Sequence, residues 1–219
     1  MDYQEVITFI MEMIGTVAFA ISGAMVGIER KMDIFGVCVL GSVTAVGGGM
    51  VRDVVVGNIP PAVFVHPVYG IVAILTSCAV FCYFWFRMNK IGAKFKSANE
   101  KLMLIMDSIG LGIFTVVGVN TGIKQGYVDN TFLLVFLGAS TGVGGGLLRD
   151  MMAQVPPYIL VKHIYACASI IGALVCILMY RSFGAVQAMI VASIVVCLIR
   201  FCAAHYRWKL PKINFDEEG

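Results

Sequence analysis

Apolar residues run along the chain in long blocks separated by short polar connections. Six lie near residues 5 to 28, 33 to 56, 64 to 86, 102 to 123, 131 to 153 and 159 to 180, and a seventh extends from about Phe183 to Ala204. Each reaches the roughly 20 residues that cross a hydrocarbon core as a helix. The pattern predicts an all-α polytopic membrane protein with seven transmembrane helices. The N-terminus reads Met1-Asp2-Tyr3-Gln4-Glu5, without the basic stretch of a cleavable signal, so the first block is expected to remain as a helix.

The blocks repeat. Gly47-Gly48-Gly49-Met50-Val51-Arg52-Asp53 returns as Gly144-Gly145-Gly146-Leu147-Leu148-Arg149-Asp150, and each copy leads to a diproline, Pro60-Pro61 or Pro156-Pro157, then to His66 or His163. Upstream the match takes in Glu12 with Asp107, Phe19 with Phe114, Gly23 with Gly118, Asp33 with Asp129, and Thr44 with Thr141, at an offset that drifts only from 95 to 97. Agreement in this many glycines, charges and prolines marks a duplication. Three spans per copy is an odd number, so the second copy crosses in the opposite sense. The architecture is then two inverted three-helix repeats, related by an axis in the membrane plane, plus a C-terminal helix. The expected division is residues 1–90 for the first repeat, 91–101 for a basic cytoplasmic linker, 102–182 for the second repeat, 183–205 for the seventh helix and 206–219 for a tail.

Composition agrees with a bilayer protein: 59% of residues are hydrophobic and 13% charged, against about a quarter charged in soluble domains. With the N-terminus outside, twelve Lys and Arg fall on the inner side, five of them between Arg87 and Lys101, and only Lys124 and Arg181 on the outer. Basic residues favour the cytoplasmic side, which predicts N-out and C-in. The net charge of +3 is thus an orientation bias and calls for no nucleic acid, while the 87–101 loop also suits anionic lipid headgroups. The seven cysteines lack metal-ligand spacing, and neither H-E-x-x-H nor G-x-S-x-G occurs. No enzyme, metal or cofactor is expected.

The candidate chemistry gathers at the triplets, Gly47, Gly48 and Gly49 in span two and Gly144, Gly145 and Gly146 in span five. Each glycine weakens a helix by about 1 kcal/mol relative to alanine, so a kink or unwound turn is expected; tight helix crossing is the plain alternative. Arg52 and Arg149 follow three residues later, at a depth where ionisable groups pair or face water. Asp53 and Asp150, one residue on, project about 100° away, so each arginine is expected to pair with another helix or the opposite repeat rather than its own aspartate. Structural ion pairs, gating or selectivity charges, and substrate ligands all remain open roles. Glu12 and Asp107 are candidate vestibule acids, one near each face, that would concentrate cations, unless they sit at headgroup level. Thr44 and Thr141 offer hydroxyls beside the triplets, against the habit of such residues to bond their own backbone. Gly23 with Gly27, and Gly118 with Gly122, suit close-packed seams between helices.

The duplicated triplet followed by Arg-Asp, in seven spans of three plus three plus one, resembles the prokaryotic members of the trimeric intracellular cation (TRIC) channel family. The resemblance covers nearly the whole chain. It implies a homotrimer in the cell membrane, with an hourglass pore in each subunit, lined by spans two and five kinked at the triplets, that passes potassium and sodium. Span four, Leu102 to Ile123, carries Asp107 and no Lys or Arg, so the basic phosphoinositide motif of the animal members has no counterpart here. Some bacterial proteins with this domain are regarded as transporters of small amino acids. The alternative is therefore a carrier for a zwitterion such as glycine, its carboxylate at an arginine or half-helix N-terminus and its amine at Asp53 or Asp150.

Overall fold

The computed structural model describes residues 3–87, 94–161, 164–206 and 208. Its elements are α1 (Tyr3–Glu29), α2 (Ile34–Val55), the one-turn α3 (Ala62–Val65), α4 (Val68–Arg87), α5 (Lys94–Lys124), α6 (Thr131–Met152), the one-turn α7 (Tyr158–Val161), α8 (Tyr165–Phe183) and α9 (Ala185–His205). Among the described residues, seven helices are long and apolar enough to cross a membrane, all but α3 and α7.

Three boundaries differ from expectation. Spans three and six begin at Val68 and Tyr165, because the diproline of each copy is followed by a separate one-turn helix. Proline drives the residue before it out of helical geometry, so the chain turns twice before re-crossing. The helix of span four begins at Lys94 and takes in most of the segment assigned to a linker.

Side-chain oxygens start the second span of each copy. Asp33 accepts from the Gly36 N–H at 2.7 Å, and Asn130 from the Leu133 N–H at 3.0 Å. The counterpart of Asp33 is therefore Asn130 and not Asp129, because the cap must immediately precede the first turn.

Both α2 and α6 continue without interruption through their triplets. The expected unwound turn is not formed. A released peptide group in a bilayer costs several kcal/mol, more than the helix propensity that glycine gives up. The triplets instead let backbones touch: a Cβ on Gly48 would stand 2.1 Å from the Thr141 carbonyl oxygen, and one on Gly145 would stand 2.1 Å from that of Thr44. The same reciprocity holds for Phe19 and Phe114, whose rings meet at 5.2 Å. Equivalent residues of the two copies thus contact each other, as an isologous contact about a twofold axis requires.

Within each copy the first and second spans form the expected seams. A Cβ on Gly23 would lie 2.8 Å from Cα of Gly41, and one on Gly118 would lie 2.9 Å from Cα of Gly138. α4 flanks the first half and α8 the second. α9 packs chiefly on α5 and α8, so it belongs in space to the second half, around a core that includes Val116, Leu134, Ile177 and Met189.

Candidate functional site

The two Arg-Asp motifs are built alike. Asp53 Oδ1 accepts from Arg52 Nε at 2.9 Å, with Nη2 at 2.8 Å, while its Oδ2 accepts the Ala62 N–H at 2.8 Å. Asp150 Oδ1 accepts from Arg149 Nε at 2.8 Å, and its Oδ2 accepts the Tyr158 N–H at 2.7 Å. Ala62 and Tyr158 open α3 and α7. Each carboxylate therefore ties the last turn of a triplet helix to the short helix beyond the diproline. The expectation that each arginine would avoid its own aspartate is corrected, since the long guanidinium arm folds back onto a neighbour that the loop amide holds in place.

Arg149 also has the cross-helix partners foreseen for it. Its Nη1 donates to Asp107 Oδ1 at 2.7 Å and to Ser22 Oγ at 2.6 Å, the latter from the first repeat. Asp107 is 2% exposed, so its assignment as a vestibule acid is corrected too: two arginines hold it inside the protein. The second is Arg200 of α9, whose Nη2 stands 3.7 Å from Asp107 Oδ2, close enough for charge attraction but beyond hydrogen bonding. The Arg200 guanidinium lies over the Tyr165 ring, 4.7 Å from its centroid. Asp107 Oδ2, the Tyr165 hydroxyl, and Arg200 Nε and Nη2 are buried with no hydrogen-bond partner among the described residues.

Among the described residues, the first half is open where Asp107, Arg149 and Tyr165 are buried together in the second. Glu12 is half-buried and accepts a hydrogen bond from the Tyr69 hydroxyl. Glu12, Tyr69, Arg52 and Asp53 wall a cavity of about 260 Å³ whose depth reaches Val46, Gly49 and Phe114. Exposed Asn58 and His66 mark its mouth. Thr44 and Thr141 do not line it; both are buried and bond their own helices, donating to the Leu40 carbonyl at 2.6 Å and the Leu137 carbonyl at 2.5 Å. His163 and Lys162 lie outside the described residues. Cys38 and Cys78 bring their thiols to 3.2 Å, and all seven cysteines are free.

Sequence reading missed Tyr69, Tyr165 and Arg200. The tyrosines had a signal, since each falls just after the paired histidine. Arg200 was counted with the inner connections although it lies inside the seventh apolar block.

A family model described as a glycine transporter matches the chain twice, over residues 9–85 and 104–181, once on each copy of the repeat. The UPF0126 inner membrane protein YadS of Escherichia coli (strain K12) is 36% identical over 212 residues, spanning 95% of this chain and 97% of that one. A structure solved to explain conductance through TRIC cation channels superposes with a TM-score of 0.80 at 34% identity, covering 94% of this chain and 97% of that one. The chain belongs to the bacterial TRIC channel family. A crystal structure of a prokaryotic TRIC channel in 0.5 M KCl gives a TM-score of 0.83 at 26% identity over 94% of this chain and all of that one. The protein is accordingly a multi-pass membrane protein of the bacterial inner membrane. Both matches of the family model end before α9, so this TRIC family member draws Arg200 from outside its repeated unit.

Proposed function

We propose that the protein is a channel for monovalent cations, potassium and sodium, with a pore in each subunit of a homotrimer. The cavity of the first half carries this reading. It runs from Asn58 and His66 to Gly49 and Phe114, beside the crossing of α2 and α6, and its arginine is already neutralised. A bare guanidinium there would repel cations strongly in a low dielectric. With Asp53 at 2.8 Å the pair is neutral, and the Glu12 carboxylate then makes the chamber attractive to cations.

With the N-terminus outside, this chamber is the outer vestibule and the Arg149 cluster seals the inner one. Phe19, Phe114 and the α2–α6 crossing close the path between them. Conduction therefore needs the two helices to bend or part at Gly47 to Gly49 and Gly144 to Gly146, while the Arg-Asp pairs hold α3 and α7 in place. Purified protein in planar bilayers is expected to give single-channel potassium currents that reverse at the cation Nernst potential. Absence of current, together with saturable uptake of a solute, would overturn the proposal.

The family model's description and the charges on the cavity wall favour one alternative, a carrier for a small zwitterion such as glycine, its amine at Glu12 or Asp53 and its carboxylate at Arg52. Radiolabelled glycine counterflow in proteoliposomes tests it. No exchange across a panel of small amino acids would remove it.

A further inference from the structure

We infer that the acid of each first helix is a two-position latch: paired with its tyrosine it leaves a vestibule open, paired with its arginine it seals one, and Arg200 holds the inner latch shut. The parts correspond one to one. Glu12 matches Asp107, and Arg52 matches Arg149. Gly41 abuts Ser77 where Gly138 abuts Ala173, which sets α4 and α8 at an offset of 96, the separation of Tyr69 and Tyr165 as well.

The same three groups stand in opposite arrangements. In the first half the acid takes the tyrosine hydroxyl, the arginine keeps to its own aspartate, and a cavity lies between. In the second half the acid takes the arginine, and the tyrosine hydroxyl is buried with no hydrogen-bond partner among the described residues. Val46 lines the open chamber, whereas its counterpart Val143 is 6% exposed. Tyr165 is thus a vacant seat for Asp107, built by the same repeat that seats Glu12 on Tyr69. An unsatisfied hydroxyl in the interior carries a desolvation cost, so the shut position needs a compensating bias.

Arg200 supplies it. Its guanidinium adds a second positive charge beside Asp107 and covers the Tyr165 ring. Because α9 lies outside the repeat, the first half has no such group among the described residues. The two-fold related latches therefore differ in bias, and one end of the pathway rests open while the other rests closed.

The inference rests on reading the two chambers as ends of one pathway, but its test needs no flux. Val46→Cys and Val143→Cys are made separately in the full-length protein and placed in lipid nanodiscs, where both faces meet a small cationic methanethiosulfonate. Peptide mass spectrometry reads modification at the introduced residue and separates it from the native cysteines. Position 46 is expected to react and position 143 to be protected. Adding Arg200→Gln is expected to raise the rate at 143 by about tenfold, the scale set by losing one charged contact, with no change at 46. Tyr69→Phe is expected to slow position 46 and leave 143 as it was. Equal rates at the two sites in the parent would overturn the latch, as would no response of 143 to Arg200→Gln. If Arg200→Gln alters the size-exclusion profile, the Tyr69→Phe comparison decides alone, and an unchanged rate at 46 would end the idea. Absent currents in the same preparation would remove the transport reading and leave the latch standing.

Discussion

Arg52 and Arg149 occupy the same place in the two copies, yet removing them should have unequal consequences. Arg149 is 1% exposed and holds two carboxylates, Asp107 and Asp150, so its loss leaves two buried anions with, among the described residues, only Arg200 near one of them. Breaking a buried ion pair by deleting one partner costs about 3–5 kcal/mol. Arg52 borders a cavity and holds Asp53 alone among the described residues, where losing a charged hydrogen bond costs about 1.5–3 kcal/mol. Arg149→Gln is expected to lower the melting temperature in detergent well below that of Arg52→Gln, read by fluorescence-detected size exclusion. Equal shifts would mean that the two surroundings do not differ as described. The motif itself was legible in the sequence, including the burial of its charges. Its pairing was not, because the 100° rule treats side chains as radial spokes, while an arginine can fold back onto a carboxylate held by an amide eight or nine residues away. The asymmetry was hidden as well, since the two Arg-Asp motifs read alike and Arg200, which stands beside one of them, lies outside the repeat.

Among elements, the triplet helices show where propensity yields to packing. The sequence located the crossing, and three glycines in a row suggested a break. In a bilayer the backbone has no water to bond, so both helices stay whole and the missing side chains are used for contact. The positions within a triplet are then not interchangeable. A Cβ on Gly48 would meet a main-chain carbonyl at 2.1 Å, whereas one on Gly49 would stand 3.7 Å from Arg52 Nη2, an ordinary contact. Gly48→Ala and Gly145→Ala must force α2 and α6 apart, a change on the scale of overpacking, about 1–3 kcal/mol. Gly49→Ala is expected to be neutral or stabilising, by up to about 1 kcal/mol from helix propensity. Thermal unfolding of the three variants checks this order, and a destabilised Gly49→Ala with an unaffected Gly48→Ala would show that helix bending, not contact, sets the requirement for glycine.

For the whole molecule, orientation decides what each chamber does. Seven spans put the two ends of the bundle on opposite sides, and basic residues choose between the two possibilities: eleven against two in favour of N-out once Arg200, inside the seventh span, is set aside. Two inverted halves make this choice consequential, because a scaffold near twofold symmetry would place one vestibule at each face either way round. The asymmetry around Arg200 gives the faces different characters. With N-out, the open chamber holding Glu12 meets the exterior, and the sealed cluster of Asp107, Arg149 and Arg200 meets the cytoplasm. Green fluorescent protein fused after α9 is expected to fluoresce, and alkaline phosphatase at the same place to be inactive, whereas phosphatase fused after Lys124 should be active. The reverse pattern would invert the charge reading and move the resting seal to the outer face, so that a signal that opens the channel would have to reach Arg200 from outside the cell.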